Sequence, residues 1–195
     1  MAKQIEFFFD FLSPPTYLAY TQLPGIVERT GAEIVWRPMF TIGLHQLTGN
    51  QSPVMVPNKL KWVKKDQQRS AARYGVPLKN NPHAPLNILP ALRGALVALR
   101  DGGFDAYCKA MFEAMWLDGK DLGNPEVFAE IVAGAGLDAA HFAAAIEEPE
   151  IKEQLKANTQ EAADRGAFGA PTFFVGDEME FGQDRLEFVE AAAAG

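Results

Sequence analysis

The sequence predicts an α/β fold in which the sheet is shared between the two ends of the chain and a large all-α block is inserted between them. Three observations lead there. An aromatic run at residues 4–11 passes straight into Ser13-Pro14, a strand followed by a helix start; helical spacing alone governs the chain from Asn50 to about Arg165; and Gly169-Ala170-Pro171 opens a pair of short strands before the last helix. With 195 residues, 48% of them hydrophobic and 22% charged, the chain can bury a sizeable core.

QIEFFFDF at 4–11 has the length and aromatic content of a buried strand. Ser13 is then placed to cap a helix with Pro14 in its first turn, where proline lacks only an N–H that has no helical partner. That helix runs from Thr16 to about Thr30 and stops near Gly31. EIVWRP at 33–38 follows as a second strand, expected to pair parallel with the first. The middle block begins with a basic amphipathic stretch over 57–74 and continues through helical patterns at 88–100, 104–116, 124–135, 139–146 and 149–165. Phe104, Tyr107, Cys108, Met111, Phe112 and Met115 follow the spacing of one buried helical face, which makes Cys108 a core residue. Past Gly166 the pattern changes to a strand at 172–175, a turn at Gly176-Asp177, a strand at 179–181 and a final helix from Asp184. A βαβ start and a ββα end around a helical block describe one thioredoxin-like unit with an insertion. Residues 1–45 and 166–195 would form the thioredoxin-like domain and 46–165 the helical subdomain, with the active site expected between the two.

The formal net charge of −7 opposes general binding to nucleic acid or to an anionic membrane, since both require a basic surface. No segment has the length of a membrane span. The apolar part of MAKQIEFFFDFLSPP is short, broken by Asp10 and without a small-residue cleavage site, so it reads as a strand and not as a signal peptide. Cys108 is the single cysteine, which excludes an intrachain disulfide and agrees with a cytoplasmic location. His45, His83 and His141 lack ligand spacing, so no metal site is expected. Lys59, Lys61, Lys64 and Lys65 form a local basic patch in an otherwise acidic chain.

In thioredoxin-like proteins the turn from the first strand into the first helix carries Cys-x-x-Cys, because the helix N-terminus stabilises a thiolate. In this chain the turn reads Ser13-Pro14-Pro15-Thr16, with hydroxyls at both cysteine positions. Dithiol–disulfide exchange by this chain alone is therefore excluded, while the device for holding a thiolate is kept. The thiolate must come from outside. Taken alone, Ser13 is an ordinary N-cap. Ala170-Pro171-Thr172, just before a C-terminal strand, is where such folds place a cis-proline facing that turn, with the Ala170 backbone presented to an extended ligand. Phe181-Gly182-Gln183-Asp184-Arg185 then puts Asp184 and free N–H groups where an α-amino acid head group can be held; alone, Asp184 reads as a helix cap.

Several separated motifs occur together and in order: Phe9-Asp10-Phe11-Leu12-Ser13-Pro14 with Tyr17-Leu18-Ala19, Thr48-Gly49-Asn50, Pro57-Asn58-Lys59, Asp66-Gln67-Gln68-Arg69, Phe168-Gly169-Ala170-Pro171-Thr172 and Phe181-Gly182-Gln183-Asp184-Arg185. Over nearly its whole length the chain resembles the kappa-class glutathione transferases and 2-hydroxychromene-2-carboxylate isomerases of the DsbA-like group. The resemblance implies glutathione as cofactor, with Ser13 hydrogen-bonded to its sulfur, Ala170 and Pro171 along its cysteinyl backbone, and Phe181, Gly182, Gln183 and Asp184 around its γ-glutamyl end. It places Asn50, Asn58 and Lys59 at the mouth, toward the glycyl carboxylate or an anionic substrate, and it implies a homodimer. Pro15 stands where members often carry an aromatic residue, and Thr16 where they often carry serine, so Pro15 is expected to alter the substrate wall. His83 occupies a loop where isomerases can carry a substrate-facing aromatic; by itself it reads as a plain loop histidine. The implied activity is a glutathione-dependent isomerisation of an aromatic α-keto acid. A kappa-class transferase conjugating electrophiles would use the same site, and a non-catalytic thioredoxin-like binding module would also lack both cysteines.

Overall fold

The structure, a computed structural model, describes residues 2–195. Its sheet has strand order β2-β1-β3-β4. The central strand β1 (Gln4–Phe9) pairs parallel with β2 (Glu33–Pro38) and antiparallel with β3 (Thr172–Val175), which pairs antiparallel with β4 (Glu178–Phe181). The parallel pair follows from the helix between its strands, α1 (Pro14–Thr30), which carries the chain back across the sheet. Pleating sends successive phenylalanines of β1 to opposite faces. On one face Phe7 stacks on Phe9 and Phe173 at 5.4 and 5.0 Å and meets Trp36 edge-on at 5.7 Å. On the other, Phe8 packs with Phe174, Met39, Leu44, Ala162, Ala167 and Ala170. A strand buried on both faces has no polar side to show, and this is why β1 reads as a continuous aromatic run.

The second face is closed by charge. Arg165 lies over the Phe174 ring at 3.8 Å and bonds Glu6 at 2.7 Å, while Arg37 bonds Glu161. The hydrogen bond from Arg165 holds the Glu6 carboxyl below its usual range, against the opposing effect of partial burial.

The helices after β2 are α2 (Thr41–Thr48), a 3₁₀ turn (Pro53–Met55), α3 (Pro57–Tyr74), α4 (Leu89–Asp101), α5 (Phe104–Glu113), α6 (Pro125–Gly134), α7 (Ala139–Ala145) and α8 (Pro149–Asp164). A 3₁₀ turn (Gln183–Arg185) and α9 (Leu186–Ala194) follow β4. Compactness divides the chain into two units, Met1–Pro77 with Thr159–Gly195, and Leu78–Asn158. The first holds the sheet together with α2 and α3, and α3 packs on α1.

The second unit is helical. In it the expected face of α5 is buried from Phe104 to Met115, and the Tyr107 hydroxyl donates to the Ala91 carbonyl at 2.8 Å while its ring stacks on Phe142. The α-helical pattern expected to reach Trp116 gives way at Ala114 to a π-helical turn, Ala114–Asp118. The Asn81 amide ties that turn down by donating to the carbonyls of Met115 (3.2 Å) and Lys120 (2.8 Å). Among the described residues no helix is long and apolar enough to cross a membrane.

Candidate active site

The corner between β1 and α1 is organised by one wholly buried carboxylate. Asp10 Oδ1 accepts the N–H of Leu12 at 2.8 Å, Oδ2 accepts that of Thr41 at 2.9 Å, and the Asp10 carbonyl accepts the N–H of Ser13 at 3.2 Å. Burial pushes the Asp10 carboxyl above its ordinary range, and the bonds from Leu12 and Thr41 pull in the other direction. Asp10 therefore fixes the Ser13 turn and the start of α2 at once.

Ser13 is half-buried at the N-cap of α1. Its Oγ accepts from the N–H of Thr16 at 3.3 Å and donates to the Ala170 carbonyl at 2.9 Å, across 157 positions of sequence. The Ala170–Pro171 peptide is cis, as the sequence led one to expect. Thr16, at the second of the two cysteine positions, is wholly buried and its Oγ1 has no hydrogen-bond partner among the described residues. Of the two residues, Ser13 is partly exposed and Thr16 is not.

The segment that delivers Ala170 is held from several sides. The Asn50 amide donates to the Phe168 carbonyl at 2.7 Å, the Phe168 ring lies 4.5 Å from that of Phe181, and Thr172 Oγ1 donates to the Gly169 carbonyl at 2.8 Å. Glycine at 169 leaves room for the Phe181 ring, which a Cβ there would approach to 2.8 Å and have to push aside. After β4 the chain turns at Gly182, whose φ of +99° suits glycine and whose N–H bonds the Pro171 carbonyl at 3.0 Å. Gln183 is buried, and its carbonyl accepts the Tyr74 hydroxyl at 2.6 Å. Asp184 follows with its carboxylate 62% exposed. The cap positions of the 3₁₀ turn and of α9 are Gly182 and Arg185, so Asp184 does not serve as the cap.

Ser13, Asn50, Ala170, Pro171, Phe181, Gly182 and Gln183 are thus brought into one hydrogen-bonded and packed network in the sheet-bearing unit, and Asp184 follows Gln183 with its exposed carboxylate 3.4 Å from the Arg185 guanidinium. Asn58 and Lys59 stand exposed in the first turn of α3, where with Pro53, Trp62 and Val63 they line a cleft of about 400 Å³. His83 lies in the other unit, exposed, with its N–H on Asn81 Oδ1 at 2.9 Å. Sequence reasoning missed three residues of this region. Trp62 stands one helical turn after Lys59 on the same cleft, while Asp10, a charge inside an aromatic run, and Tyr74, at the end of the basic helix, have partners that no local pattern announces. Cys108 is buried, and burial holds its thiol well above the ordinary range, so it offers no nucleophile. Among the described residues no group of three or more His, Cys, Asp and Glu could hold a metal ion.

A helix start facing a cis-proline across a β2-β1-β3-β4 sheet, with a helical insertion, defines a thioredoxin-like protein of the DsbA type. The DSBA-like thioredoxin domain family matches residues 4–194. A 2-hydroxychromene-2-carboxylate isomerase of Sphingobium xenophagum is 35% identical over 195 residues, 98% of this chain and 98% of that one. A solved structure of a 2-hydroxychromene-2-carboxylate isomerase is similar with a TM-score of 0.87 and 30% identity, over 97% of this chain and 93% of the other. Glutathione S-transferase kappa 1 of Homo sapiens is 24% identical over 207 residues, 97% of this chain and 90% of the relative. The chain belongs to the DsbA-like thioredoxin family, in the group of the 2-hydroxychromene-2-carboxylate isomerases and kappa-class glutathione transferases.

Proposed function

We propose that the chain is a glutathione-dependent isomerase of an aromatic α-keto acid. The observation that carries this reading is the Ser13 hydroxyl, set at the N-terminus of α1 and 2.9 Å from the carbonyl of the cis-proline corner, in a chain with no cysteine at that turn. The helix N-terminus favours an anion there. With the single cysteine buried at position 108, the sulfur has to be borrowed. The names of the relatives, isomerase and glutathione transferase, agree with a borrowed glutathione thiol.

The donor set suits the tripeptide. Ser13 offers a hydroxyl for the sulfur, Ala170 its backbone for the cysteinyl amide, and Asp184 an exposed carboxylate for the α-ammonium group. Asn50 contributes through the Phe168 carbonyl that it holds, and Lys59 offers the cation for a carboxylate. Held by these residues, glutathione would supply a thiolate able to add reversibly to a conjugated keto acid or its cyclic hemiketal and to leave again by elimination, so that the ring could open and a double bond rotate as a single bond.

The chain's own residues prepare that chemistry. Ser13 has one hydroxyl proton, which it donates to the Ala170 carbonyl. Turning it to a sulfur leaves that carbonyl to an amide N–H of the ligand, so no buried acceptor is orphaned by the exchange. Pro14 and Pro15 leave the first turn of α1 without N–H groups to offer, so the Ser13 hydroxyl and the positive end of the helix dipole stabilise the thiolate, which lowers its pKa and keeps it a good leaving group. Ser13 is not the nucleophile, since its Oγ is bonded to Ala170 O and Thr16 N and to no base. A cytoplasmic homodimer belongs to the same reading.

Conjugation of an electrophile, as a kappa-class transferase would do, uses the same groups. Product analysis separates the two. A benzylidenepyruvate-type isomerisation with glutathione recovered unchanged supports the isomerase, and stoichiometric thioether formation would sink it. Thermal unfolding in millimolar glutathione should show stabilisation by ligand linkage; an unchanged midpoint would favour a module without catalysis.

A further inference from the structure

We infer that Tyr74 is a positioning residue that gives the site its preference for thiols bearing a γ-glutamyl group. This rests on the glutathione reading above and assigns the residue that aims one end of that site. The loop after β4 has to present Asp184 in a fixed direction, although the Asp184 carboxylate itself is 62% exposed. Its backbone is therefore fastened at the two residues before it. The N–H of Gly182 bonds the Pro171 carbonyl at 3.0 Å, which ties the loop to the cis-proline corner. The carbonyl of Gln183, a residue only 8% exposed, accepts the Tyr74 hydroxyl at 2.6 Å.

The second bond matters because of peptide geometry. The Gln183 carbonyl and the Asp184 N–H belong to one planar trans peptide and point in opposite directions. Fixing the oxygen on Tyr74 therefore aims the Asp184 N–H away from α3. An α-amino acid head group needs an N–H for its carboxylate and a carboxylate for its ammonium, and Asp184 carries both. Tyr74 ends α3 and reaches the loop across 109 positions, so its hydroxyl fixes the direction of that pair without touching a ligand. Without it, the carbonyl would lose its tie to α3 and keep only what the 3₁₀ turn itself supplies, and the peptide would have more freedom to turn.

The test is Tyr74→Phe, which removes the hydroxyl and keeps the ring, measured by calorimetry and steady-state kinetics with glutathione and with cysteinylglycine, which lacks the γ-glutamyl group. Glutathione affinity should fall about 3- to 10-fold, the effect appearing in KM and not in kcat. The values for cysteinylglycine should not change. A purely structural role would weaken both thiols alike. Equal losses for the two thiols, or an unchanged glutathione affinity, would overturn the inference while leaving the glutathione reading intact; a wild-type protein that binds neither thiol would overturn both. Should Tyr74→Phe fold poorly, 3-fluorotyrosine at position 74, which keeps the ring and makes the hydroxyl a stronger donor to the Gln183 carbonyl, should hold or raise the preference for glutathione over cysteinylglycine. A lowered preference in that variant would count against Tyr74.

Discussion

The turn that carries Ser13 and the face of α3 that carries Lys59 belong to one unit, yet they are built in opposite ways. At the turn, Asp10 and Ser13 are fastened to partners distant in sequence, Thr41 and Ala170, and the facing corner is tied by Gly182 to Pro171. On the α3 face the cleft is lined only by near neighbours, Pro53 to Val63, and Met55 and Trp62 are exposed. A thiolate needs donors set in place before it arrives, whereas an anionic substrate is attracted by a mobile ammonium through water. Substitutions at the turn should therefore change rate and stability together. Those on the face should change apparent affinity alone.

The largest effect expected is that of Ser13→Ala. It removes the hydroxyl that the proposed function assigns to the sulfur and should lower kcat/KM with glutathione about 10- to 100-fold. The same substitution removes the N-cap of α1, so denaturant unfolding should show a loss of about 1 kcal/mol. Retained activity would break the comparison at its stronger side. Next is Asp10→Ala, which leaves the N–H groups of Leu12 and Thr41 without a partner at a fully buried site. A loss of about 3 kcal/mol is expected in urea unfolding.

Two carboxylates make opposite contributions to the pH dependence of stability. Burial raises the folded pKa of Asp10 above its unfolded value of about 3.9, so the folded form binds more protons there and stability falls as pH rises between the two pKa values. Its pairing with Arg165 lowers the folded pKa of Glu6, so the stability it contributes is present above its unfolded value of about 4.3 and is lost as pH falls through the folded one. Glu6→Gln should cost about 1 kcal/mol at neutral pH and almost nothing in acid, measured as unfolding midpoints across that range. The smallest effect belongs to the α3 face. Lys59→Gln should raise KM for an anionic substrate about 3-fold at low salt, fade as salt is added, and leave the unfolding midpoint in place. A large loss of kcat would show that the face is as preorganised as the turn.

How much of this could be read in advance follows the same division between near and distant partners. The β1–α1 corner was legible because Ser13-Pro14 is a local signal, and Ala170-Pro171 because its place before a strand has a known counterpart in thioredoxin-like folds. Helix α2 was not. Its N-cap position is held by Phe40, and the missing acceptor comes from Asp10, 31 positions earlier than Thr41. The π turn after α5 was hidden because the buried spacing of Phe104 to Met115 runs on into it, and the Asn81 amide that ties it down belongs to another segment. Of the candidate site, the motifs could be read along the chain, but not the bonds that hold them. Tyr74 looks like any half-buried aromatic at a helix end until its hydroxyl meets Gln183.

The central claim, that Ser13 and the start of α1 hold a borrowed thiolate, is tested most directly by the pKa of the glutathione thiol in the bound state, followed by its ultraviolet thiolate absorbance. The chain itself gives little background, because its one cysteine is buried with its thiol held well above the ordinary range. The account predicts that the bound thiol ionises below the value of about 8.5 typical of a free cysteine, and that Ser13→Ala moves it back up by about one unit. A bound thiol with the pKa of free glutathione, or one that titrates identically in wild type and Ser13→Ala, would contradict it.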